Sequence, residues 1–264
     1  MAVDRWSGGD DYEAYVGRWS RAVAAGFLEW LSIPPGGRWV DVGCGTGALS
    51  AAILERTDPA SVVGIDPSAD FIAVAGDRTA DRRATFLVGS AASIPLEAAS
   101  ADAVVAGLVL NFVPDLAGAL GEMLRVARPG ATVAGYVWDY AGRMDLIRVF
   151  WDEAVALDPA VAAKDEGVRF PVCAPGPLRR AFEGAGLAEV DVRSIDVPTV
   201  FGDFDDYWRP FLSGVGPAPG YAVSLDETSR TALRERLRAR LRQGPDGSIH
   251  LLARAWAVKG RRAG

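Results

Sequence analysis

The feature that most constrains the fold is a glycine-rich turn between an apolar strand and a helix. It lies in residues 38–47, which read Arg-Trp-Val-Asp-Val-Gly-Cys-Gly-Thr-Gly. The first five residues suit a buried strand, and a helical pattern follows over residues 47–56. Glycine tolerates positive φ angles and allows a close approach of the backbone to a ligand. We therefore expect a strand–turn–helix unit with a ligand site at the turn.

Around this turn the chain alternates short β-branched runs with helical stretches, which is the pattern of a parallel sheet built from βαβ units. The first five predicted strands are residues 38–42, 61–65, 84–88, 102–107 and 131–138. The helices predicted between them are residues 47–56, 68–79 and 116–127, with Asp115 as the N-cap of the last and residues 128–130 ending it. An α/β fold follows from this alternation.

Two more strands are predicted at residues 187–197 and 248–258. The insertion between them, at about 198–247, is too long for a bare connection and should be structured. In it, Ser224 to Glu227 forms a capping-box pattern that predicts a helix start, whereas residues 213–220 are flexible by composition. We expect a single domain over residues 1–264. Its parts are an N-terminal helical cap (1–37), a core (38–138) and a C-terminal half (139–264).

The turn fits two kinds of adenosine cofactor until Asp41 is considered. Residues 43–48 also satisfy the G-x-G-x-x-A form of the dinucleotide fingerprint, and Asp66 suits ribose hydroxyls in both cases. A carboxylate at position 41 would repel dinucleotide phosphates, whereas S-adenosylmethionine carries an ammonium and a sulfonium. Opposite charges about 4 Å apart attract by about 4 kcal/mol at an effective dielectric of about 20. Asp41 thus favours the cationic cofactor. A purely structural turn, with Asp41 capping backbone amides, remains the alternative.

With these residues in view, the chain resembles the class I, Rossmann-like methyltransferases that depend on S-adenosylmethionine, of the small-molecule and ubiquinone/menaquinone-biosynthesis type. Residues 40–47 resemble the family's first motif and residues 64–68 its second. Residues 88–96 resemble the segment around the adenine, and residues 100–115 the strand and loop near the sulfonium. The resemblance implies a three-layer α/β sandwich whose seven-stranded, mostly parallel sheet has the order 3-2-1-4-5-7-6 and an antiparallel last strand. It also implies a helical cap from the N-terminus and from the insertion between strands 6 and 7.

The same resemblance implies which residues contact the cofactor. Those expected around S-adenosyl-L-methionine, or the product S-adenosyl-L-homocysteine, are Arg18, Asp41, Gly43, Cys44, Gly45, Gly47, Asp66, Pro67, Ser90, Ala91 and Leu108. Asp66 is expected on the ribose hydroxyls, and Arg18 would pair with the cofactor's carboxylate. Ser90 stands where the family usually has aspartate, so its hydroxyl would accept from the adenine without charge assistance. For Arg18, a helix packing on the sheet edge is the alternative.

Two polar residues are candidates for chemistry at the methyl acceptor. Asn111 follows the fourth strand and Asp139 follows the fifth, where open α/β sheets bind ligands. Asn111 would orient the acceptor; its alternative is a turn before Pro114. Asp139 would orient the acceptor or take its proton, because a dry pocket can raise a carboxyl pKa; its alternative is a helix cap. The expected reaction is an in-line displacement, in which alignment alone can contribute about 7–11 kcal/mol.

Composition narrows the partners. A net charge of −6 disfavours a protein that tracks nucleic-acid phosphates, and two cysteines with one histidine supply no metal-ligand cluster. The apolar run at 103–113 is shorter than the roughly 20 residues that a membrane helix needs, and the N-terminus lacks an apolar signal segment. We expect a cytoplasmic monomer or homodimer that uses no metal and acts on a small, hydrophobic or aromatic acceptor.

Three other functions remain open from the residues alone. The arginine-rich helix at residues 230–242 would suit an RNA methyltransferase, although a solvated helix face explains it too. A module that binds S-adenosylmethionine without transferring a methyl group is the second. A dinucleotide oxidoreductase is the third, which Asp41 disfavours. The aromatic residues at 204–211 either pack a helix or cover an apolar substrate.

Overall fold

The computed structural model describes residues 13–264, and the predicted strands form one seven-stranded sheet of order β3-β2-β1-β4-β5-β7-β6. The strands are β1 (Arg38–Val42), β2 (Ser61–Asp66), β3 (Ala84–Val88), β4 (Ala101–Gly107), β5 (Ala127–Trp138), β6 (Ala188–Phe201) and β7 (Ile249–Arg261). β1 to β5 pair in parallel, and β7 runs antiparallel to β5. The predicted strand order and the antiparallel last strand are confirmed.

The α-helices are α1 (Arg18–Leu31), α2 (Ala48–Arg56), α3 (Ala69–Arg78), α4 (Leu116–Val126), α5 (Asp145–Leu157), α6 (Glu166–Arg169), α7 (Pro175–Gly184), α8 (Phe204–Trp208), α9 (Pro217–Ser224) and α10 (Glu227–Arg240). A five-residue π-helix, Glu13–Gly17, precedes α1. Short 3-10 helices occupy Leu110–Phe112, Pro159–Lys164 and Arg209–Leu212. No helix in this part of the chain is both long and apolar enough to cross a membrane.

The described chain divides into two compact units. We call the first the sheet unit; it contains residues 21–138, 172–195 and 255–264. The second, the helical unit, contains residues 13–20, 139–171 and 196–254 of the described chain. The predicted N-terminal cap therefore contributes to both units, and its residues 1–12 lie outside the described residues. A single methyltransferase domain over residues 1–264 stays a prediction.

The core of the sheet unit is built on the central strands β1, β4 and β5. Val40 pairs with Val104, which pairs in turn with Val133, and all three side chains are buried. Such continuous apolar strands are typical of a parallel sheet covered by helices on both faces. Burial of each valine contributes about 1.5–3 kcal/mol relative to leaving it exposed. These paired, buried strands form the core from whose ends the loops of the sheet unit extend.

Both ends of α4 lie where they were predicted to within one residue, whereas the start of β5 does not. Asp115 caps the helix as predicted, because its side chain accepts a hydrogen bond from the amide of Gly118 (2.9 Å). The helix ends at Val126, within one residue of its predicted end at 127, but the predicted start of β5 at residue 131 was wrong, because β5 begins at Ala127. The ladder passes from the pair Ala101–Ala127 to the pair Ala103–Thr132. The residues between form a bulge, which accommodates the missing amide donor of Pro129.

In the helical unit, two predictions about the insertion were wrong. Helix α10 is capped by Asp226, which accepts from the Ser229 amide (2.8 Å), and not by Ser224. Ser224 instead donates to the Tyr221 carbonyl (2.7 Å) and closes α9. Residues 217–220 belong to α9 and are not a flexible connection, because Pro217 supplies a favourable first helical position. The glycine- and proline-rich composition had predicted a flexible connection instead of this helix.

Candidate cofactor site

The candidate site lies in the sheet unit, at the carboxyl ends of β1 to β4. Because adjacent parallel strands end on the same side, the segments after them come together there. The amides of Gly43 and Cys44 donate to the carbonyl of Ile65 at the end of β2 (2.7 and 3.0 Å). The Gly89 amide, after β3, donates to the carbonyl of Asp66 (3.1 Å). Three of the motif segments identified in the sequence are therefore joined by backbone hydrogen bonds.

The three glycines of the turn differ in what surrounds them. Gly43, Gly45 and Gly47 have φ angles of +73°, +54° and +87°, which side chains rarely adopt. A Cβ atom on Gly43 would lie 2.6 Å from Val109, and one on Gly47 would lie 3.3 Å from Ala75. A Cβ atom on Gly45 would meet no described atom within 4 Å. Packing therefore requires Gly43 and Gly47, whereas Gly45 faces open space.

Asp66 holds this turn against the second strand. One carboxylate oxygen accepts from the amide of Gly45 (3.0 Å), and the other accepts from the amide of Ser68 (2.9 Å). Each carboxylate oxygen can accept more than one hydrogen bond, so these contacts leave capacity for two ribose hydroxyls. The residue is 8% exposed, which gives it the low dielectric that strengthens such bonds.

Asp41 is the most unusual group of the site. Its Oδ2 atom accepts from the hydroxyl of Ser50 on α2 (2.7 Å), and its Oδ1 atom has no partner among the described residues. Burial raises the pKa of Asp41 to about 7, although the hydrogen bonds from Ser50 oppose that shift. A buried carboxylate oxygen without a donor is destabilising. The ammonium of a ligand would supply that donor. Ser50 was not predicted; the only signal was a small polar residue in an otherwise apolar helix segment.

Cys44 is a packing residue within the turn. It is 7% exposed, and a Cβ atom on Gly64 would lie 3.0 Å from its sulfur. Burial raises the pKa of the thiol well above its ordinary value, and the charges of Asp41 and Asp66 add to this effect. A thiol held in its neutral form is a poor nucleophile. Cys44 therefore shapes the turn and does not offer a reactive sulfur.

The segment after β4 carries two further predicted residues. Leu108 has a φ angle of +59°, and its amide donates to the Tyr136 carbonyl (2.8 Å). A left-handed conformation disfavours a non-glycine residue by roughly 1–2 kcal/mol, and such residues cluster at functional sites. Asn111 is 9% exposed, and neither atom of its amide group has a partner among the described residues. The local turn is closed by the hydrogen bond that the Phe112 amide donates to the Val109 carbonyl, so it does not require the Asn111 side chain.

The adenine segment forms a tight turn after β3. The amide of Ser93 donates to the carbonyl of Ser90 (3.1 Å), and both Ser90 and Ala91 are half-buried. Pro67, after β2, is exposed and adjoins Ser68, whose hydroxyl caps α3. The structure therefore brings these residues to the same end of the sheet as the glycine turn. Their contacts with a cofactor stay predictions.

Arg18 and Asp139 belong to the helical unit. Arg18 donates to Asp206 (3.2 Å), and its guanidinium carbon lies 4.5 Å from the ring centroid of Trp19. Asp139 accepts from the amide of Arg143 (3.0 Å) and so closes the turn before α5. The contacts of Arg18 agree with its structural alternative, packing. Asp139 closes a turn but does not cap α5, whose N-cap is Met144 with no side-chain cap bond. The predicted roles at the cofactor carboxylate and at the acceptor stay predictions.

Comparisons with known proteins agree with this arrangement. Residues 40–135 match the family model described as "Methyltransferase domain". The chain is 39% identical over 105 residues to a demethylmenaquinone methyltransferase of Roseiflexus sp. (strain RS-1). The aligned residues make up 39% of this chain and 44% of that enzyme. It is 31% identical over 176 residues to the demethylmenaquinone methyltransferase of Staphylococcus aureus (strain JH9), with 62% of this chain and 73% of that enzyme covered. The chain belongs to the class I S-adenosylmethionine-dependent methyltransferases.

Within this methyltransferase family the likeness differs in extent. The chain spans less than half the length of the Roseiflexus enzyme that it matches (44%), but 73% of the staphylococcal enzyme. The crystal structure of the YcgJ protein from Bacillus subtilis is similar with a TM-score of 0.60 and 15% identity. That likeness covers 94% of this chain and 99% of the Bacillus chain, so it supports the fold over nearly its whole length.

Proposed function

We propose that this chain transfers a methyl group from S-adenosyl-L-methionine to a small, apolar acceptor and releases S-adenosyl-L-homocysteine. The proposal is carried by the buried Oδ1 atom of Asp41, which has no partner among the described residues, together with the open surroundings of Gly45 in the same turn motif. A cationic adenosine ligand would satisfy both features, because its ammonium is a donor and its uncharged ribose needs close backbone approach. A dinucleotide would bring phosphates to the same buried carboxyl and fits it poorly.

The residues of the sheet unit have distinct tasks in this proposal. Asp41 binds the ammonium, Asp66 binds the ribose hydroxyls, and the turn at Gly45 lets the cofactor lie against the backbone. Ser90 and Ala91 border the adenine, and Leu108 lines the approach after β4. The cofactor supplies an activated methyl group, so the chain's own residues have to bind, align and exclude water. The proposed chemistry uses no metal.

Asn111 is our candidate for orienting the acceptor. Its amide group is buried without a partner among the described residues, and the strained Leu108 precedes it by three positions. An amide offers both a donor and an acceptor, which suits a hydroxyl or carbonyl on an apolar molecule. Asp139 remains a second candidate for orienting the acceptor or taking its proton, although its carboxylate already closes a turn.

A small apolar acceptor is supported by two independent observations. The relatives in Roseiflexus and Staphylococcus aureus are named for demethylmenaquinone, a small molecule. The helical unit of this chain is rich in buried aromatic rings, among them Phe150 and Phe211, which stack with centroids 4.5 Å apart. Apolar, aromatic linings are typical of small-molecule sites. A cytoplasmic location and a monomeric or homodimeric state stay predictions.

The arginine-rich helix α10 gives little support to RNA as the acceptor. Arg234 pairs with Asp205 (2.9 Å) and Arg236 pairs with Glu153 (2.8 Å), both within the helical unit. The guanidinium carbon of Arg238 lies 4.2 Å from the ring centroid of Phe204. Arginines that are engaged in this way neutralise neighbouring acids and leave little positive surplus for phosphates.

The decisive experiment is a screen of small-molecule extracts with methyl-labelled S-adenosylmethionine, preceded by calorimetric titration with S-adenosylhomocysteine. We expect tight binding of the product and label transfer to an apolar metabolite. Binding without any label transfer would instead indicate a module that senses the cofactor. Failure to bind S-adenosylhomocysteine would contradict the proposal outright, and label transfer to RNA alone would contradict its acceptor.

A further inference from the structure

The helical unit contains a buried polar cluster to which the proposed function assigns no task. Its members are Tyr15, Tyr140, Glu166 and Tyr207, none of them more than 4% exposed. Polar groups in such an aromatic interior are destabilising unless they find hydrogen-bond partners. Tyr207 has one, because its hydroxyl donates to the carbonyl of Leu146 (3.0 Å). Whether the other polar groups of the cluster also have hydrogen-bond partners therefore indicates whether the cluster is purely structural.

Tyr15 is the member without a partner. Its hydroxyl has no hydrogen bond to any described residue, although the side chain is only 1% exposed. Burial raises the pKa of Tyr15, and Glu166, Tyr140 and Tyr207 lie near enough to raise it further. Its ring contacts Phe211 edge-on, with centroids 5.6 Å apart. An interior hydroxyl in this state does not stabilise the fold, so a structural role does not explain it.

The local backbone around Tyr15 is also unusual. The residue lies in the π-helix Glu13–Gly17, directly before α1. π-helical turns are rare and occur frequently at functional sites, because the wider turn displaces side chains from regular packing. The unpartnered hydroxyl and the rare backbone conformation are separate observations, and both lie at one position.

Glu166 is the acidic neighbour of this hydroxyl. Its carboxylate accepts a hydrogen bond from the indole of Trp151, and no arginine pairs with it among the described residues. Arg148 forms an ion pair with the adjacent Asp165 instead. Burial raises the pKa of Glu166 to about 7, against the opposing effect of its hydrogen bonds. Near neutral pH this carboxyl can therefore accept or donate a hydrogen bond to another hydroxyl.

We infer that Tyr15 and Glu166 form the polar end of a binding site for a small apolar molecule that carries a hydroxyl group. The ligand's hydroxyl would bond to the Tyr15 phenol and the Glu166 carboxyl. Its apolar body would pack against the aromatic rings of the same unit, of which Phe211 touches Tyr15 and Phe150 stacks on Phe211. The inference rests on the proposed function only in identifying this molecule as the methyl acceptor.

The test compares phenol with toluene, which has the same ring but no hydroxyl, as probes of the full chain by calorimetric titration. We expect phenol to bind about tenfold more tightly than toluene, which is the effect of one good hydrogen bond. Tyr15→Phe should remove most of that preference and leave toluene binding unchanged. The same variant should keep or raise the melting temperature, because it deletes a hydroxyl that has no partner among the described residues.

Tyr207→Phe is the matched control. It deletes an identical hydroxyl that already has a partner, so the melting temperature should fall while the preference for phenol stays. A second variant, Glu166→Gln, keeps the shape of the side chain and removes its charge, and it should lower phenol affinity about tenfold. If that variant does not fold, Tyr15→Phe alone decides.

Equal binding of phenol and toluene by the parent chain would overturn the inference. An undiminished preference for phenol in Tyr15→Phe would overturn it too. Titration with S-adenosylhomocysteine in the same samples separates this site from the proposed function. Loss of that binding with the phenol preference intact contradicts the function and supports the site, whereas the reverse result contradicts the site alone.

Discussion

The sheet unit and the helical unit place buried acids by different means. In the sheet unit, Asp41 lies within a strand and Asp66 ends the next one, so a local sequence pattern determines where each carboxyl is. In the helical unit, Glu166 lies among groups from distant segments, including Tyr15 and Trp151. The comparison shows that strand ends make a site recognisable in sequence. A site made by helix packing has no such signature.

The largest effect should come from the glycine turn of the sheet unit. We expect Gly45→Val to lower S-adenosylhomocysteine affinity more than a hundredfold, because the new side chain would occupy the space that the ligand needs. The control is Gly36→Val, since Gly36 also has a positive φ angle and open surroundings. Both variants should lose stability similarly in thermal melts, by the roughly 1–2 kcal/mol of a left-handed residue or somewhat more. Retained tight binding in Gly45→Val would show that the turn does not approach the cofactor.

Removing the ribose carboxylate should have the next largest effect. Asp66→Ala should lower S-adenosylhomocysteine affinity about a hundredfold, because hydrogen bonds to a charged group contribute about 1.5–3 kcal/mol each. The melting temperature should also fall, since the amides of Gly45 and Ser68 lose their acceptor. The exposed acid Asp77 serves as the control, and Asp77→Ala should change neither quantity. Unchanged affinity in Asp66→Ala would remove this residue from the site.

Substitutions at the two candidates for acceptor chemistry compare the sheet unit, which contains Asn111, with the helical unit, which contains Asp139. Asn111→Ala should reduce the rate of methyl transfer about tenfold and keep the melting temperature, because its amide has no partner to lose among the described residues. Asp139→Asn should mainly lower the melting temperature, because its carboxylate closes the turn at Arg143. Rates measured with the acceptor found in the labelled screen would check both. The opposite pattern would assign the chemistry to Asp139.

A smaller effect on S-adenosylhomocysteine affinity is expected from a change in pH. The pKa of Asp41 is raised to about 7 in the free chain, and a bound ammonium would lower it because it stabilises the ionised form. Cofactor binding is then linked to loss of a proton from Asp41. S-adenosylhomocysteine affinity should therefore be highest above pH 7 and fall by up to about tenfold per pH unit below it. Asp41→Asn should flatten this profile between pH 6 and 8, and a profile of unchanged slope would contradict the role of Asp41.

The smallest effect should come from the arginines of α10. Arg234→Gln and Arg236→Gln each remove an ion pair that is partly exposed, so each should lower the free energy of unfolding by at most about 1 kcal/mol. Cofactor affinity and methyl transfer should not change. Salt-dependent binding of RNA by the parent chain, lost in these variants, would reopen the RNA alternative.

The elements that were predicted well are those with strong local signals. β1 and β3 have the predicted bounds, and α4 begins at the predicted cap, because apolar runs and capping residues act over a few positions. The errors lie where distant contacts decide. The bulge at the start of β5 depends on pairing with β4, and α9 forms from a glycine- and proline-rich stretch that composition predicts to be flexible.

The sequence by itself determined the α/β fold, the glycine turn and the pair of carboxylates that favours a cationic cofactor. These features depend on residue patterns over short stretches of the chain, so their physics is local. Only the tertiary structure decided that Ser50 bonds to Asp41, that the Asn111 amide is buried without a partner among the described residues, and that Tyr15 lies near Glu166. Burial and hydrogen-bond partners depend on neighbours far away along the chain, and no spacing of residue types encodes them.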